Sequence, residues 1–202
     1  MGKIMIINGS PRAPKSNSKL YASQFSKACQ LETEYFHITK TNHLELCRAM
    51  DGFSDVLFVF PLYADGIPAT LLSFLKTLEQ NAPQHKPVIS VLINCGFIEP
   101  RQNDVAVEMM RLYCRQNEYP FGSVLKIGSG EAILTTPFER WVRLKIGKLA
   151  ASIADKNHKC LQVTMPIPKR IFIRASTTYW ENYGKKNGVT KAQMATMRIE
   201  ES

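Results

Sequence analysis

A cluster of short polar side chains follows the first apolar run of the chain. Asn8-Gly9-Ser10-Pro11-Arg12 ends that run, and Lys15-Ser16-Asn17-Ser18 opens a helical stretch just beyond it. These residue types suit an anion. Ser10, Ser16, Asn17 and Ser18 bring hydroxyl and amide donors, and Arg12 brings a fixed positive charge. The first turn of a helix adds unpaired N–H groups and the positive end of its dipole. A phosphate monoester, with several acceptor oxygens and about two negative charges at neutral pH, matches that set. The simpler reading is that Ser16, Asn17 or Ser18 caps the helix. One cap needs one such residue, however, and here a cluster follows a strand-ending Gly-Ser. The spacing is neither that of a Walker A loop nor that of a G-x-G-x-x-G fingerprint.

Two other loops have a different character. Pro61, Leu62, Tyr63, Ala64, Asp65 and Gly66 follow the third apolar run and continue into Ile67-Pro68-Ala69. This loop is apolar, aromatic and stiffened by prolines, and it offers backbone N–H and C=O groups beside a flat ring. Read plainly, it is also an ordinary strand-to-helix turn with Tyr63 as a core or surface aromatic. Asn94, Cys95, Gly96 and Phe97 follow the fourth run, again small residues with one aromatic. One loop for phosphate and two for a planar ring describe a mononucleotide site. No side chain is assigned as an acid or base. Cys95 lies near the ring position, but nothing in the sequence beside it would activate a thiol.

The elements that must carry these loops alternate. Strand-like runs are expected at 3–8, 34–38, 56–60, 87–94 and 122–127. Helical spacing is read at 18–30, 44–50, 69–80, 104–117 and 138–155. Five β-then-α units imply a parallel sheet with helices on both faces. The strands are continuously apolar, as strands buried on both sides are. In such a sheet ligands bind beyond the carboxyl ends of the strands, where the strand order reverses. The pattern breaks after residue 155. A tail with Pro166 and Pro168, the apolar–basic stretch KRIFIR at 169–174 and a terminal helix near 191–197 is expected to form a basic extension over 160–202, following a body over 1–159.

Charge divides the chain in the same place. Residues 1–139 hold thirteen Lys/Arg and thirteen Asp/Glu, whereas residues 140–202 hold thirteen against four and so carry the whole net charge of +9. The tail mixes its cations with Ile171, Phe172, Ile173, Tyr179, Trp180 and Tyr183. This favours an arm that meets a second copy of the chain over a free polybasic tail. A solvated basic surface and an anionic membrane surface are the other readings, and no nucleic acid partner is expected. An apolar content of 45 % with 21 % charged residues is that of a globular chain. The longest apolar stretch, 56–64, is too short to span a bilayer. The amino terminus matches neither a secretory signal nor a myristoylation pattern, so a cytoplasmic protein is expected. Five scattered cysteines without C-x-x-C read as reduced thiols, and the four histidines lack metal-ligand spacing.

Residues 7–20 (INGSPRAPKSNSKL) and 61–75 (PLYADGIPATLLSFL), in that order and at that distance, resemble the NADPH-dependent FMN reductase-like branch of the flavodoxin-like superfamily. Residues 94–103 (NCGFIEPRQN) and 128–133 (GSGEAI) are similar to its later segments. The resemblance covers about residues 3–155, with a weaker echo at 180–192. It implies a flavodoxin-like three-layer α/β/α sandwich whose five-stranded parallel sheet has the order 2-1-3-4-5. It also implies FMN, with its phosphate at Ser10, Arg12, Ser16, Asn17 and Ser18. The ring would lie against Pro61, Leu62, Tyr63, Ala64, Asp65 and Gly66 and against Asn94, Cys95, Gly96 and Phe97. NAD(P)H would be the co-substrate, a quinone, flavin, azo or nitro compound the small-molecule electron acceptor, and a homodimer or higher homo-oligomer the assembly. A one-electron carrier and a flavin-binding regulatory protein without turnover are the alternatives. Some members carry a cysteine cluster for an iron–sulfur centre before strand three. Only Cys47 stands there, so no such centre and no metal is expected.

Overall fold

The computed structural model describes residues 2–196 and divides the chain into two compact units, Met1–Met165 and Pro166–Ser202. In the first, six strands form one parallel sheet. They are β1 (Lys3–Asn8), β2 (Glu32–His37), β3 (Asp55–Pro61), β4 (Val88–Asn94), β5 (Phe121–Ile127) and β6 (Cys160–Val163), in the spatial order β2-β1-β3-β4-β5-β6. The helices between them are α1 (Asn17–Ala28), α2 (His43–Ala49), α3 (Ala69–Gln80), α4 (Asp104–Gln116) and α5 (Glu139–Ala154).

The three-layer parallel architecture agrees with the sequence reading, but the sheet has six strands where five are expected. The sixth comes from the start of the segment assigned to the basic extension. It pairs Val124 with Cys160 and Ile127 with Val163. Its sequence, CLQV, is four residues long and sits at the sheet edge, where Cys160 and Gln162 are exposed. An edge strand lacks the unbroken apolar run that marks a central one.

Alternation along the strands builds two cores. Met5, Ile7, Val56, Phe58, Phe60, Val91 and Ile93 pack with Leu71, Phe74, Leu75 and Leu78 of α3 and Met110 and Cys114 of α4. The intervening residues Ile4, Ile6, Leu57, Val59 and Leu92 face the other layer, where α1 and α5 bury Tyr21, Phe25, Ile146, Leu149 and Ile153. Burying side chains of this size stabilises the fold by roughly 1.5–3 kcal/mol each. The same alternation decides the polar positions. Asn8 and Asn94, each the last residue of its strand, fall on the α1–α5 side and are buried with it.

The second unit consists of α6 (Lys169–Lys186) and α7 (Lys191–Thr196). The apolar–basic stretch 169–174 is thus the first turn and a half of a long helix. Met197, the last residue of the expected terminal helix, lies outside the described residues. Gly184 meets Met194 so closely that an added Cβ would stand 2.7 Å from its sulfur, and Lys191 pairs with Glu181 at 2.7 Å. Tyr179, Trp180 and Tyr183 form an exposed ring cluster with centroids 5.2–6.4 Å apart.

Candidate functional site

The loops after β1, β3 and β4 leave the carboxyl end of the sheet, as the register requires. Asn8 pairs with Val59, and Pro61 with Asn94. Strand order reverses around β1, which lies between β2 and β3, so the β1 loop stands where an open α/β sheet receives a ligand.

The β1 loop is held by local bonds first. Asn8 Oδ1 accepts from Ser10 N at 2.9 Å, and Ser10 Oγ accepts from Arg12 N at 3.2 Å, two successive side-chain turns. Thr70 donates to the Gly9 carbonyl at 3.1 Å. Ala13–Lys15 makes a 3-10 turn, and Ser16 in extended conformation caps α1 by accepting from Lys19 N at 3.2 Å. The capping reading therefore holds for Ser16. Ser18 is buried, and its hydroxyl accepts from Asn94 Nδ2 at 3.3 Å. Asn17 donates one amide hydrogen to the Gly130 carbonyl at 3.1 Å. Arg12 is exposed, and among the described residues no acceptor meets the Ser10 hydroxyl proton. The main-chain N–H groups of Asn17 and Ser18 have no partner within the helix, whereas those of Lys19 and Leu20 donate back to Ser16.

The β3 loop folds on itself. Tyr63 N donates to Gly66 O and Gly66 N to Tyr63 O, both at 3.0 Å. Between them Ala64 and Asp65 adopt φ of +46° and +59°. This is a tight turn with both central residues left-handed, the geometry that Asn-Gly serves best. The N–H groups of Tyr63 and Gly66 are thus occupied, and those of Ala64 and Asp65 are the ones this turn can present. Leu62 N donates to Asn94 O at 2.7 Å and ties this loop to the next. Tyr63 and Phe97 are each about half exposed, at 53 % and 50 %.

In the β4 loop, Asn94 Nδ2 also donates to the Phe60 carbonyl at 3.2 Å. Cys95 is buried, within 3.7 Å of the Phe97 carbonyl and 3.4 Å of Asn103 Nδ2. Burial pushes its thiol up from the ordinary cysteine value. Gly96 is open. An added Cβ would meet nothing nearer than Glu131 Oε2 at 3.9 Å, which leaves the backbone of this loop approachable.

Three further residues belong to the site. Gly130, in the turn after β5, presents its carbonyl to Asn17 and, at 2.8 Å, to the buried Tyr21 hydroxyl. It also donates from N to the Cys95 carbonyl at 2.7 Å, so it locks the β1 and β4 loops together. Asn8 donates to Tyr35 Oη at 2.9 Å and to Ser16 Oγ at 3.3 Å. Asn8 is signalled in the sequence by a polar residue ending an apolar run and Gly130 by the glycine-bearing segment 128–133, whereas the bonding role of Gly130 and any role for Tyr35 are not. Their parts depend on pairings that only the folded sheet creates.

The donor set suits a phosphate monoester at Ser10, Arg12, Asn17 and the first turn of α1. The open Gly96, with Tyr63 and Phe97 half exposed at the same sheet edge, suits a planar ring. Among the described residues no group of three or more His, Cys, Asp or Glu side chains could hold a metal ion, and no helix is long and apolar enough to cross a membrane.

No protein-family model matches the chain, and no curated protein matches it in sequence. Solved structures do match in fold. An NADPH-quinone reductase from P. pentosaceus superposes with a TM-score of 0.57 at 12 % identity, over 74 % of this chain and 98 % of its own. An FMN-dependent NADH-azoreductase from Bacillus anthracis in complex with FMN gives 0.54 at 15 %, over 76 % and 100 %. A flavodoxin from Streptococcus pneumonia TIGR4 gives 0.53 at 14 %, over 76 % and 99 %. The fold is flavodoxin-like.

Proposed function

We propose that the chain binds FMN at these three loops and works as an NAD(P)H-dependent oxidoreductase on a small acceptor of the quinone, flavin, azo or nitro class. The observation that carries the reading is the locked β1 loop. A donor-rich turn with a free guanidinium stands at the strand-order reversal and is fastened to the β4 and β5 loops by Asn94 and Gly130. A helix cap alone needs none of these fastenings. The fold likeness to an FMN-dependent NADH-azoreductase in complex with FMN supports FMN as the ligand.

FMN held here would supply the two-electron hydride chemistry between the nicotinamide and the acceptor. The chain's own part is to bind and orient. Ser10, Arg12, Asn17 and the main chain of 16–18 hold the phosphate, with Ser16 and Ser18 contributing backbone rather than hydroxyl. Pro61, Leu62 and Tyr63 together with Cys95, Gly96 and Phe97 would line the ring. The N–H groups of Ala64 and Asp65, unused within the turn, would be donors to the pyrimidine edge of a bound ring, where negative charge grows on reduction. No side chain serves as an acid or base. The reading includes assembly as a homodimer in the cytoplasm. It uses the second unit, with Ile171, Ile173, Tyr179, Trp180 and Tyr183 exposed, as the surface that meets the other copy.

The test is an absorbance spectrum of the purified full chain followed by anaerobic NADH or NADPH. A yellow protein bleached rapidly by either supports the oxidoreductase. Flavin that is retained but not bleached points to a one-electron carrier or a binding protein. A colourless chain that takes up no added FMN overturns the reading.

A further inference from the structure

The donors around the β1 loop do not all remain available once the fold is in place. The Ser16 hydroxyl accepts from Asn8 Nδ2 at 3.3 Å and from Lys19 N at 3.2 Å, and its proton lies toward the Ala13 carbonyl at 3.4 Å. Both lone pairs and the proton are committed, so this group has nothing left for an anion. The Ser18 hydroxyl is buried against Asn94.

A different hydroxyl stands in their place. Tyr35, on β2, pairs opposite Ile6 and so shares the face of Asn8, the side on which α1 packs. Its Oη accepts from Asn8 Nδ2 at 2.9 Å. Among the described residues no acceptor meets the Tyr35 hydroxyl proton. Tyr35 is half-buried, so packing holds it without enclosing it fully. Asn8 is fully buried and divides itself three ways: one hydrogen to Tyr35, one to Ser16, and its oxygen to Ser10 N. A single asparagine thus sets the positions of the Tyr35 hydroxyl, the helix cap and the start of the loop relative to one another.

We infer that Tyr35 is a further ligand of the phosphate monoester, donating its Oη–H to a phosphate oxygen, and that Asn8 is the positioning residue that aims it. The inference deepens the FMN reading and rests on it. It moves to β2, an element to which the sequence assigns no part in the site, the donor role expected of Ser16 and Ser18. The resulting set is Arg12 for charge and Ser10, Asn17 and Tyr35 as neutral donors.

The test compares FMN with riboflavin, which carries the same ring without the phosphate. Both are titrated by flavin fluorescence into the full chain, freed of any bound flavin, and into Tyr35→Phe and Ser16→Ala. Removing one donor to a charged group weakens binding by about tenfold or more. Tyr35→Phe is therefore expected to lower FMN affinity by that factor while leaving riboflavin affinity and melting temperature close to the parent's. Ser16→Ala is expected to lower the melting temperature through loss of the cap. It should change the preference for FMN over riboflavin less than Tyr35→Phe does. Undiminished preference in Tyr35→Phe, or a larger loss in Ser16→Ala, overturns the role given to Tyr35. A parent chain that binds both flavins equally overturns the phosphate reading itself, whatever the variants do.

Discussion

Gly130→Ala is the sharpest single perturbation of the proposed site, although Gly130 touches no ligand in the reading given above. An added Cβ would lie 2.8 Å from Asn94 Cβ, 3.1 Å from Asn94 Oδ1 and 3.2 Å from the Cys95 carbonyl. Asn94 cannot yield, since its amide is bonded to Ser18 and Phe60 and its backbone lies in β4. The β5 turn must retreat instead. Overpacking of this kind costs about 1–3 kcal/mol. Retreat also draws the Gly130 carbonyl away from the fully buried Tyr21 hydroxyl, and leaving such a group unsatisfied costs about 1–3 kcal/mol more. The expected loss is about 2–6 kcal/mol, which for a chain of this size lowers the melting temperature by roughly 4–24 °C. Tyr21→Phe sets the scale. It removes the hydroxyl but leaves the Gly130 carbonyl bonded to Asn17, so it should cost only about 1 kcal/mol. Urea and thermal unfolding of the three proteins measure this, and FMN titration of Gly130→Ala should show weakened binding as Asn17 loses its tether. A Gly130→Ala chain that melts within about 2 °C of the parent and binds FMN equally well would refute the fastening argument.

Three other outcomes follow from the same geometry. Ala64→Asn combined with Asp65→Gly gives the tight turn after β3 residues that tolerate its left-handed φ values, and should raise stability by about 1 kcal/mol in urea unfolding; an unchanged or lower midpoint would contradict the turn assignment. Burial pushes the Cys114 thiol up to about 12 and also raises the Tyr21, Tyr113 and Tyr119 phenols. The folded state then holds these protons more tightly than the unfolded chain, so stability should be full below the free thiol's pKa of about 8.5 and decline as pH rises toward 12; a midpoint that is flat or rising over that range would be inconsistent. A chain ending at Met165 keeps all six strands and should retain cooperative unfolding while sedimenting as a smaller assembly than the full chain; an unchanged oligomeric state would dispose of the arm.

What the sequence reveals about this molecule depends on whether a signal is local. The central strands are legible because Val56 to Phe60 is buried on both faces and wholly apolar, and Ile89 to Ile93 is buried on both faces with Ser90 as its one polar residue. The loops are legible because serines, glycines and prolines mark them. β6 is not, because an edge strand of four residues needs only Val163 fully inside. α6 hides behind β-branched residues at 171 and 173, which weaken helical propensity without preventing a helix. Within the site, the cluster 16–18 is visible as a group, but the division of labour inside it is not. Ser16 caps, Asn17 tethers and Ser18 is buried, and each outcome is set by a residue elsewhere: Asn8, Gly130 and Asn94. Tyr35 reads as one more aromatic in a strand until the β1–β2 register puts it on the face of Asn8.

The tether from Asn17 to Gly130 spans 113 residues, and that from Tyr21 to the same carbonyl spans 109. Their length gives the molecule a history as well as a shape. A nascent chain that has emerged through α3 contains every residue of the β1 loop, yet none of the groups on β4 and β5 that fasten it. Parallel pairing between distant strands is slow to form because loop closure precedes its reward. Capture of any ligand by this loop therefore comes late, after the sheet has closed as far as β5. A ligand held at this loop would then stabilise only chains that have completed that step, so it would act after β5 has joined the sheet rather than in the early stages of folding.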